Sequence, residues 1–540
     1  MEIKKIAIQH FKVQNFDGQK PGTSGLRKKT KEFLQDGYIE SYVQSVFNVL
    51  CVNEKTFVIG GDGRYYNSVA LKKIVAIAIA NGAKKIYIAQ NGLLSTPAVS
   101  NFILQYKLDF GIMLSASHNP GGIDGDFGIK VNTSNGAPAN VEITDKIYSE
   151  TLKTSQYSTI ENFDIDTSFE HNFKVLNTEI EVIDGVKDYA NKMEEIFDFK
   201  AIKNFLKTNN IAFNGFCGVT GVFAEEIFGN RLGIDKKYLL NTESREDFGG
   251  LVPDPNPVSA KDFIDYIKNS PDISLGLACD ADGDRNMVFS RVYNLEPSDS
   301  LALILKYSHL VDYYKNKIYG VARSRPTSNA VDLVAKNMGI DCYIVPTGWK
   351  FFGNLLDANK ITFCGEESFG TGSNHSREKD GIWALLFWLN ILAKSEKSFD
   401  EILESFWKEY GRVYFTRHDL ENLETDFAKN LVSSLEENAK TNIGKNFFGD
   451  YKVEAVENFS YTDITNNETI SNQGLIIKFN KGAEVMVRTS GTGTSGATIR
   501  LYLTRYEKEN ILADKAEYLS DFAEALYSLI GKNVHPTMVV

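Results

Sequence analysis

Cysteine is scarce in this chain of 540 residues: there are five, at positions 51, 217, 279, 342 and 364, an odd number with no C-x-x-C pair. That spacing argues against a disulfide framework or a structural zinc site and fits a reducing compartment. Long apolar runs are missing too. The most hydrophobic segment, Ile382 to Ala393, is broken by Asn390 and too short to span a bilayer, so it reads as a buried helix. The opening residues, MEIKKIAIQH, are charged and contain no signal-peptide core. Positive charge is in deficit: 59 Lys+Arg against 70 Asp+Glu leave a net charge of −11, which disfavours nucleic acid and anionic membranes as partners. Low-complexity segments are absent. The expectation left standing is a soluble, cytoplasmic protein.

What is present is ample core material. Hydrophobic residues make up 43% of the chain, with 35 Phe and 25 Tyr among them, and the length suggests three to four domains. Short apolar strands alternate with helical stretches: Phe57–Ile59, then Ser68–Ala80, Lys85–Ala89, a helix through Asn101–Gln105, and Phe110–Leu114. This alternation predicts α/β layers with sheets covered on both faces. From about Gly411 the texture changes to strands at Val413–Arg417, Leu475–Phe479, Ala483–Arg488 and Thr498–Thr504, with helices over Asp426–Lys440 and Ile511–Ile530. Asn480-Lys481-Gly482 reads as a hairpin turn, and the whole as an α+β domain.

Three apolar strands run into polar, glycine-containing loops: Phe110–Leu114 before Ser115 to Gly122, Ile273–Cys279 before Asp280 to Arg285, and Ile361–Cys364 before Gly365 to Gly370. Ligands on open α/β sheets sit at the carboxyl ends of strands, so three such loops suggest divergent repeats facing one cleft. Asp280, Asp282 and Asp284 stand at i, i+2 and i+4, with Gly283 permitting a sharp turn, and can converge on one hard cation. Calcium of the EF-hand kind is excluded because the required Gly and Glu positions hold Arg285 and Arg291; magnesium is the natural choice. Ser117, in a turn after an apolar strand, reads equally as a projecting hydroxyl or a plain turn residue, and His118 as a structural hydrogen-bonder. The stretch Arg488 to Gly496 is an anion nest or a flexible surface loop. Lys20 to Lys29 is a second basic loop, and the acceptors of Gly365 to Ser368 suit sugar hydroxyls.

Taken together, KPGTSGLR (20–27), GGDGRYY (60–66), AQNGLLSTPAVS (89–100), SASHNPGG (115–122), GDFGIKVN (125–132), DADGDRNM (280–287), VPTGWKFFGNL (345–355), CGEESFGTGSNHSREKDG (364–381) and RTSGTGTSGATIRLY (488–502) resemble the α-D-phosphohexomutase superfamily, and its phosphoglucomutase branch in the EESFG stretch. The resemblance is weakest over 140–245 and 418–470.

The resemblance implies three related α/β/α domains with mixed sheets (1–181, 182–295 and 296–408) and a C-terminal α+β domain (409–540) around a deep cleft. It implies a phosphorylated Ser117, one Mg²⁺ per chain held by Asp280, Asp282, Asp284 and the phosphoserine, and Arg27 and Arg285 at the transferring phosphoryl. Lys379, with His118 second, is the implied acid/base, its pKa depressed by neighbouring cations. Thr347, Gly348, Glu366 and Ser368 would hold the sugar, and Arg488, Ser490, Gly491, Thr492 and Arg500 the other phosphate. The implied reaction interconverts glucose 1-phosphate and glucose 6-phosphate, with glucose 1,6-bisphosphate as activator and intermediate. Alternatives are a mutase for mannose or glucosamine phosphates, a phosphatase, or a non-catalytic paralogue. The partners expected are small hexose phosphates, and the chain is expected to be a monomer or weak homodimer. Ala281 and Thr489 depart from the family pattern.

Overall fold

The computed structural model describes residues 7–22, 24–161, 163–490, 496–530 and 537–538. Its first sheet has seven strands in the order Leu26–Lys29, Asp126–Thr133, Phe110–Leu114, Thr56–Gly61, Lys85–Leu93, Thr178–Ile183, His171–Val175. Side chains alternate between its faces with the period of two that a strand imposes. Val58, Ala89 and Met113 enter one core, while Phe57, Ile59, Phe110 and Ile112 enter another. Both faces are therefore covered, as the near-continuous apolar runs require.

Two four-stranded sheets follow. One runs Leu239–Leu240, Asn210–Asn214, Ile273–Cys279, Asn286–Phe289, and the other Cys342–Val345, Val321–Ser324, Phe363–Gly365, Thr371–Ser373. In each, the first three strands in this order are parallel and the last is antiparallel. The heart of the first sheet repeats that plan: Lys85–Leu93, Thr56–Gly61 and Phe110–Leu114 are parallel, and Asp126–Thr133 returns antiparallel. The three polar loops occupy one topological position, the connection into the antiparallel strand. Ser117, the aspartates and Glu366–Ser368 are thus structural equivalents in three repeats.

Helix Gly381–Ser395 is buried along residues 381–392, and Asp380 caps it by accepting from the Trp383 N–H at 3.0 Å. An all-round apolar helix can only be a core helix, and this one joins the main core cluster. No described helix is long and apolar enough to cross a membrane.

The C-terminal unit is a seven-stranded sheet in the order Asn446–Phe448, Tyr451–Asn458, Leu475–Phe479, Ala483–Ser490, Ala497–Glu507, Arg412–Leu423, Thr537–Met538. Helix Thr425–Thr441 matches expectation, but the final helix begins at Lys515 and not Ile511. Asp514 explains the later start: its side chain accepts from the Glu517 N–H at 3.0 Å, the geometry of a cap.

Candidate active site

Ser117 sits 2% exposed in the loop after Phe110–Leu114, with φ +56. A non-glycine residue in the left-handed region is strained and needs its surroundings to hold it. Two contacts do so. Its N–H donates to Ser115 Oγ at 2.7 Å, and its carbonyl accepts from Arg64 Nη2 at 2.6 Å. Arg64, fully buried with Asp62, also donates to the Asp126 carbonyl at 2.7 Å and pairs with Asp62 at 2.8 Å. So held, the Ser117 hydroxyl lies 3.3 Å from Asp280 Oδ2 and 3.4 Å from His118 Nδ1.

The three aspartates present ligand oxygens within 4.8 Å of one another, and all three are buried. Gly283 takes φ +80 between them. Asp282 Oδ1 and Asp284 Oδ1 are buried without a hydrogen-bond partner. Orphaned carboxylate oxygens converging on one point are what a hard divalent cation requires. Burial, then the neighbouring Asp284 and Asp282, push the Asp280 carboxyl well above its ordinary range. Asp282 goes the other way: burial would raise it, but Lys130 and Thr96 outweigh that and hold it well below.

Lys130 was not among the expected site residues. Its ammonium pairs with Asp282, lies 3.9 Å from Asp284, and donates to Thr96 Oγ1 at 3.1 Å. The signal for it was a single lysine inside the apolar strand FGIKV, where burial demands a carboxylate partner. Asp254 was missed as well; it pairs with Arg285 at 2.8 Å and orients that guanidinium. Arg27 and Arg285 each keep a buried Nε without a partner.

Lys379 reaches Asp284 at 3.4 Å and Glu366 at 3.7 Å. Its pKa is raised, the reverse of expectation: burial pulls it down, but the Asp284 and Glu366 carboxylates outweigh both that and the Arg285 charge. His118 is driven down to about 3 by burial and by Arg285 and Arg27, so it is neutral at pH 7.

The cleft between these groups has a volume of about 250 Å³ and is lined by His118, Lys130, Asp284, Arg285, Thr347, Gly348, Trp349, Glu366, Ser368, Glu378, Lys379 and Arg500 among others. Gly348 N–H donates to Glu366 Oε1 at 3.3 Å, and Thr347 Oγ1 is buried without a partner. Glu378, also unforeseen, accepts from Asn132 at 2.8 Å, and burial lifts its carboxyl to about 7.

In the C-terminal sheet Arg488 stands directly opposite Arg500. Like charges in register cost stability, which an anion would offset. Asp419, opposite Arg500 on the other side, is 3.6 Å from its Nε and holds Arg417 at 2.8 Å. Ser490 ends this strand, though its side chain is not described, and Gly491 and Thr492 lie outside the described residues.

Against known proteins, family profiles for the phosphoglucomutase/phosphomannomutase α/β/α domains I, II and III match residues 18–158, 187–292 and 296–410, and the phosphoglucomutase-1 C-terminal domain matches 412–533. Phosphoglucomutase from Rhizobium radiobacter is 48% identical over 526 residues, covering 97% of this chain and 96% of that one. The chain belongs to the phosphoglucomutase family. Phosphoglucomutase 1 of Drosophila melanogaster is 45% identical over 99% of this chain and 100% of its own. Among solved structures, the open form of the Paramecium exocytosis-sensitive phosphoprotein pp63/parafusin, a phosphoglucomutase, superposes with a TM-score of 0.89 at 40% identity, covering 97% of this chain and 96% of that one. The family's expected architecture, three α/β/α domains and a C-terminal domain, is the one found.

Proposed function

We propose that this chain is a phosphoglucomutase that interconverts α-D-glucose 1-phosphate and glucose 6-phosphate by lending and reclaiming a phosphoryl group at Ser117. The observation that carries the mechanism is the Ser117 hydroxyl facing the aspartate trio, 3.3 Å from Asp280. Asp280, Asp282 and Asp284, with the Ser117 oxygen, would hold one Mg²⁺, which supplies charge neutralisation at the phosphoryl group.

The chain's own residues do the rest. Three aspartates and a phosphoserine of about −1.5 to −2 charge would repel a sugar phosphate. Arg27, Arg285, Lys130 and Lys379 offset this at one end of the cleft, and Arg488 and Arg500 at the other. Glucose 1-phosphate rests its phosphate on Arg488 and Arg500, with Ser490, Gly491 and Thr492 kept as the partners the sequence implies. Thr347, Gly348, Glu366 and Ser368 hold its hydroxyls, and O6 faces phospho-Ser117. The bond from phosphorus to the serine oxygen breaks as one to O6 forms, and the O6 proton leaves to the neutral imidazole of His118, since Lys379, held protonated by Asp284 and Glu366, can only donate. The glucose 1,6-bisphosphate so formed reverses in the cleft, and Ser117 takes the phosphoryl from O1.

The domains are proposed as 1–183, 184–295, 296–408 and 409–540; the first boundary lies past Ile183, and not at 181 as the sequence suggested, because Thr178–Ile183 belongs to the first sheet. A cytoplasmic monomer or weak homodimer, with five free cysteines, fits the composition. Ser117→Ala is expected to abolish turnover of glucose 1-phosphate and to remove the one-phosphoryl mass increment from the intact chain. Undiminished activity would overturn the assignment, and faster turnover of mannose or glucosamine phosphates would change the substrate.

A further inference from the structure

Phe369 follows Ser368 at the tip of the loop between Phe363–Gly365 and Thr371–Ser373. It takes φ +65 yet is only 5% exposed. Glycine adopts that conformation freely, whereas a bulky side chain is strained there, so burial of the ring must compensate. The backbone is fixed as well. The Phe369 carbonyl accepts from the Asn286 N–H at 2.9 Å and from Asn286 Nδ2 at 3.0 Å, and Glu366 N–H closes the loop on the Gly370 carbonyl at 2.8 Å. Asn286 directly follows Arg285, so this carbonyl ties the sugar loop to the aspartate loop.

The ring points the connection a third way. It shares one apolar cluster with Phe415, Met486 and Tyr502 of the C-terminal sheet. Met486 stands opposite Tyr502, and Arg488 opposite Arg500, in the same ladder. Alternate residues of a strand share a face, so the surface that presents the two arginines is the one whose apolar end joins the cluster that holds Phe369.

We infer that Phe369 is a positioning residue that links occupation of the arginine pair to the shape of the sugar loop. This rests on the proposed reading of those two groups as the sites for the two ends of the substrate. Its carbonyl sets the loop against the aspartates, and its ring sets it against the arginine-bearing face. A sugar phosphate that seats on Arg488 and Arg500 therefore meets a loop already in register.

A four-protein cycle on the full-length chain tests this: unaltered, Phe369→Gly, Arg500→Ala and the double variant, each assayed for the KM of glucose 1-phosphate. Glycine tolerates the backbone and removes only the ring. Arg500→Ala is expected to raise KM, and to raise it about tenfold less in the Phe369→Gly background, since sites coupled through a shared packed cluster are non-additive. Phe369→Leu, which retains apolar bulk, is expected to restore the full effect to within about threefold. Equal effects of Arg500→Ala in both backgrounds would sink the inference alone. An unchanged KM in Arg500→Ala itself would sink it together with the phosphate-site assignment. Should Phe369→Gly not fold, Met486→Ala opens the same apolar cluster from the C-terminal sheet, and the same pair of results in that cycle supports or overturns the inference.

Discussion

Arg64→Lys separates charge from geometry beneath Ser117. Arg64 satisfies three groups at once: Asp62 at 2.8 Å, the Asp126 carbonyl at 2.7 Å and the Ser117 carbonyl at 2.6 Å. A planar guanidinium can fork to all of them, whereas a lysine ammonium is a point charge. If lysine keeps the Asp62 pair, it forfeits two charge-assisted bonds to buried carbonyls, each worth about 1.5–3 kcal/mol. Water can take up part of that, so a loss of about 3 kcal/mol is expected in urea unfolding. Arg64→Met should cost more, about 3–5 kcal/mol or above, because Asp62 becomes an unpaired buried charge. The functional effect follows from the strained serine. Released from Arg64, Ser117 relaxes from φ +56 and its hydroxyl moves off Asp280. A displacement of about 1 Å is worth about 100-fold in rate. Stopped-time intact-mass measurement of Ser117 phosphorylation by glucose 1,6-bisphosphate, beside the unfolding curve, reads both effects. An Arg64→Lys protein with unaltered midpoint and phosphorylation rate would refute the reasoning.

Asp299 gives a pH test away from the cleft. It is 2% exposed and accepts from Trp407 Nε1 at 2.8 Å, and burial, then Glu296, pushes its carboxyl up to about 7. The folded chain thus holds a proton that the unfolded chain loses near its ordinary value of 3.8, so stability falls as pH rises from about 4 to about 7. The full penalty is about 4 kcal/mol; Asp299→Asn should remove the slope and stabilise the chain at about pH 8, and an unchanged pH profile of urea unfolding would count against it. Asp282→Asn is expected to raise the Mg²⁺ concentration for half-maximal activity by about tenfold or more, since carboxylate charge sets affinity. A titration superimposable on that of the unaltered chain would exclude Asp282 as a ligand.

Much of this site is legible in the sequence because its residues announce themselves by contradiction. Aspartates directly after the apolar strand Ile273–Cys279 have no neighbouring helix to cap, and Ser117 stands in a turn dense with Asn, Pro and Gly. Supporting residues lack that mark. Arg64 and Asp254 lie in ordinary polar turns, and only the tertiary structure reveals which carbonyl or guanidinium each one holds. Lys130 differs: its strand carries the signal, but its partner is 152 residues away. The direction of the Lys379 shift is hidden because cations are visible in the sequence, while the greater closeness of the Asp284 and Glu366 carboxylates is not. Strand Tyr451–Asn458 carries its own signal, buried Tyr451 and Val453 alternating with exposed Lys452 and Glu454, whereas Asn446–Phe448 is too short for a pattern and is made a strand by pairing.

The shared topological slot has a consequence for how such a catalyst can change. Each of the three loops leaves a parallel strand and re-enters through an antiparallel neighbour, so chain entry and exit are alike while the cargo differs: a hydroxyl, a set of carboxylates, a set of sugar acceptors. Loops of one kind can therefore be lengthened, recharged or exchanged without redrawing the sheet beneath them. Division of labour among copies, with the scaffold left intact, is the form of innovation this architecture permits most readily.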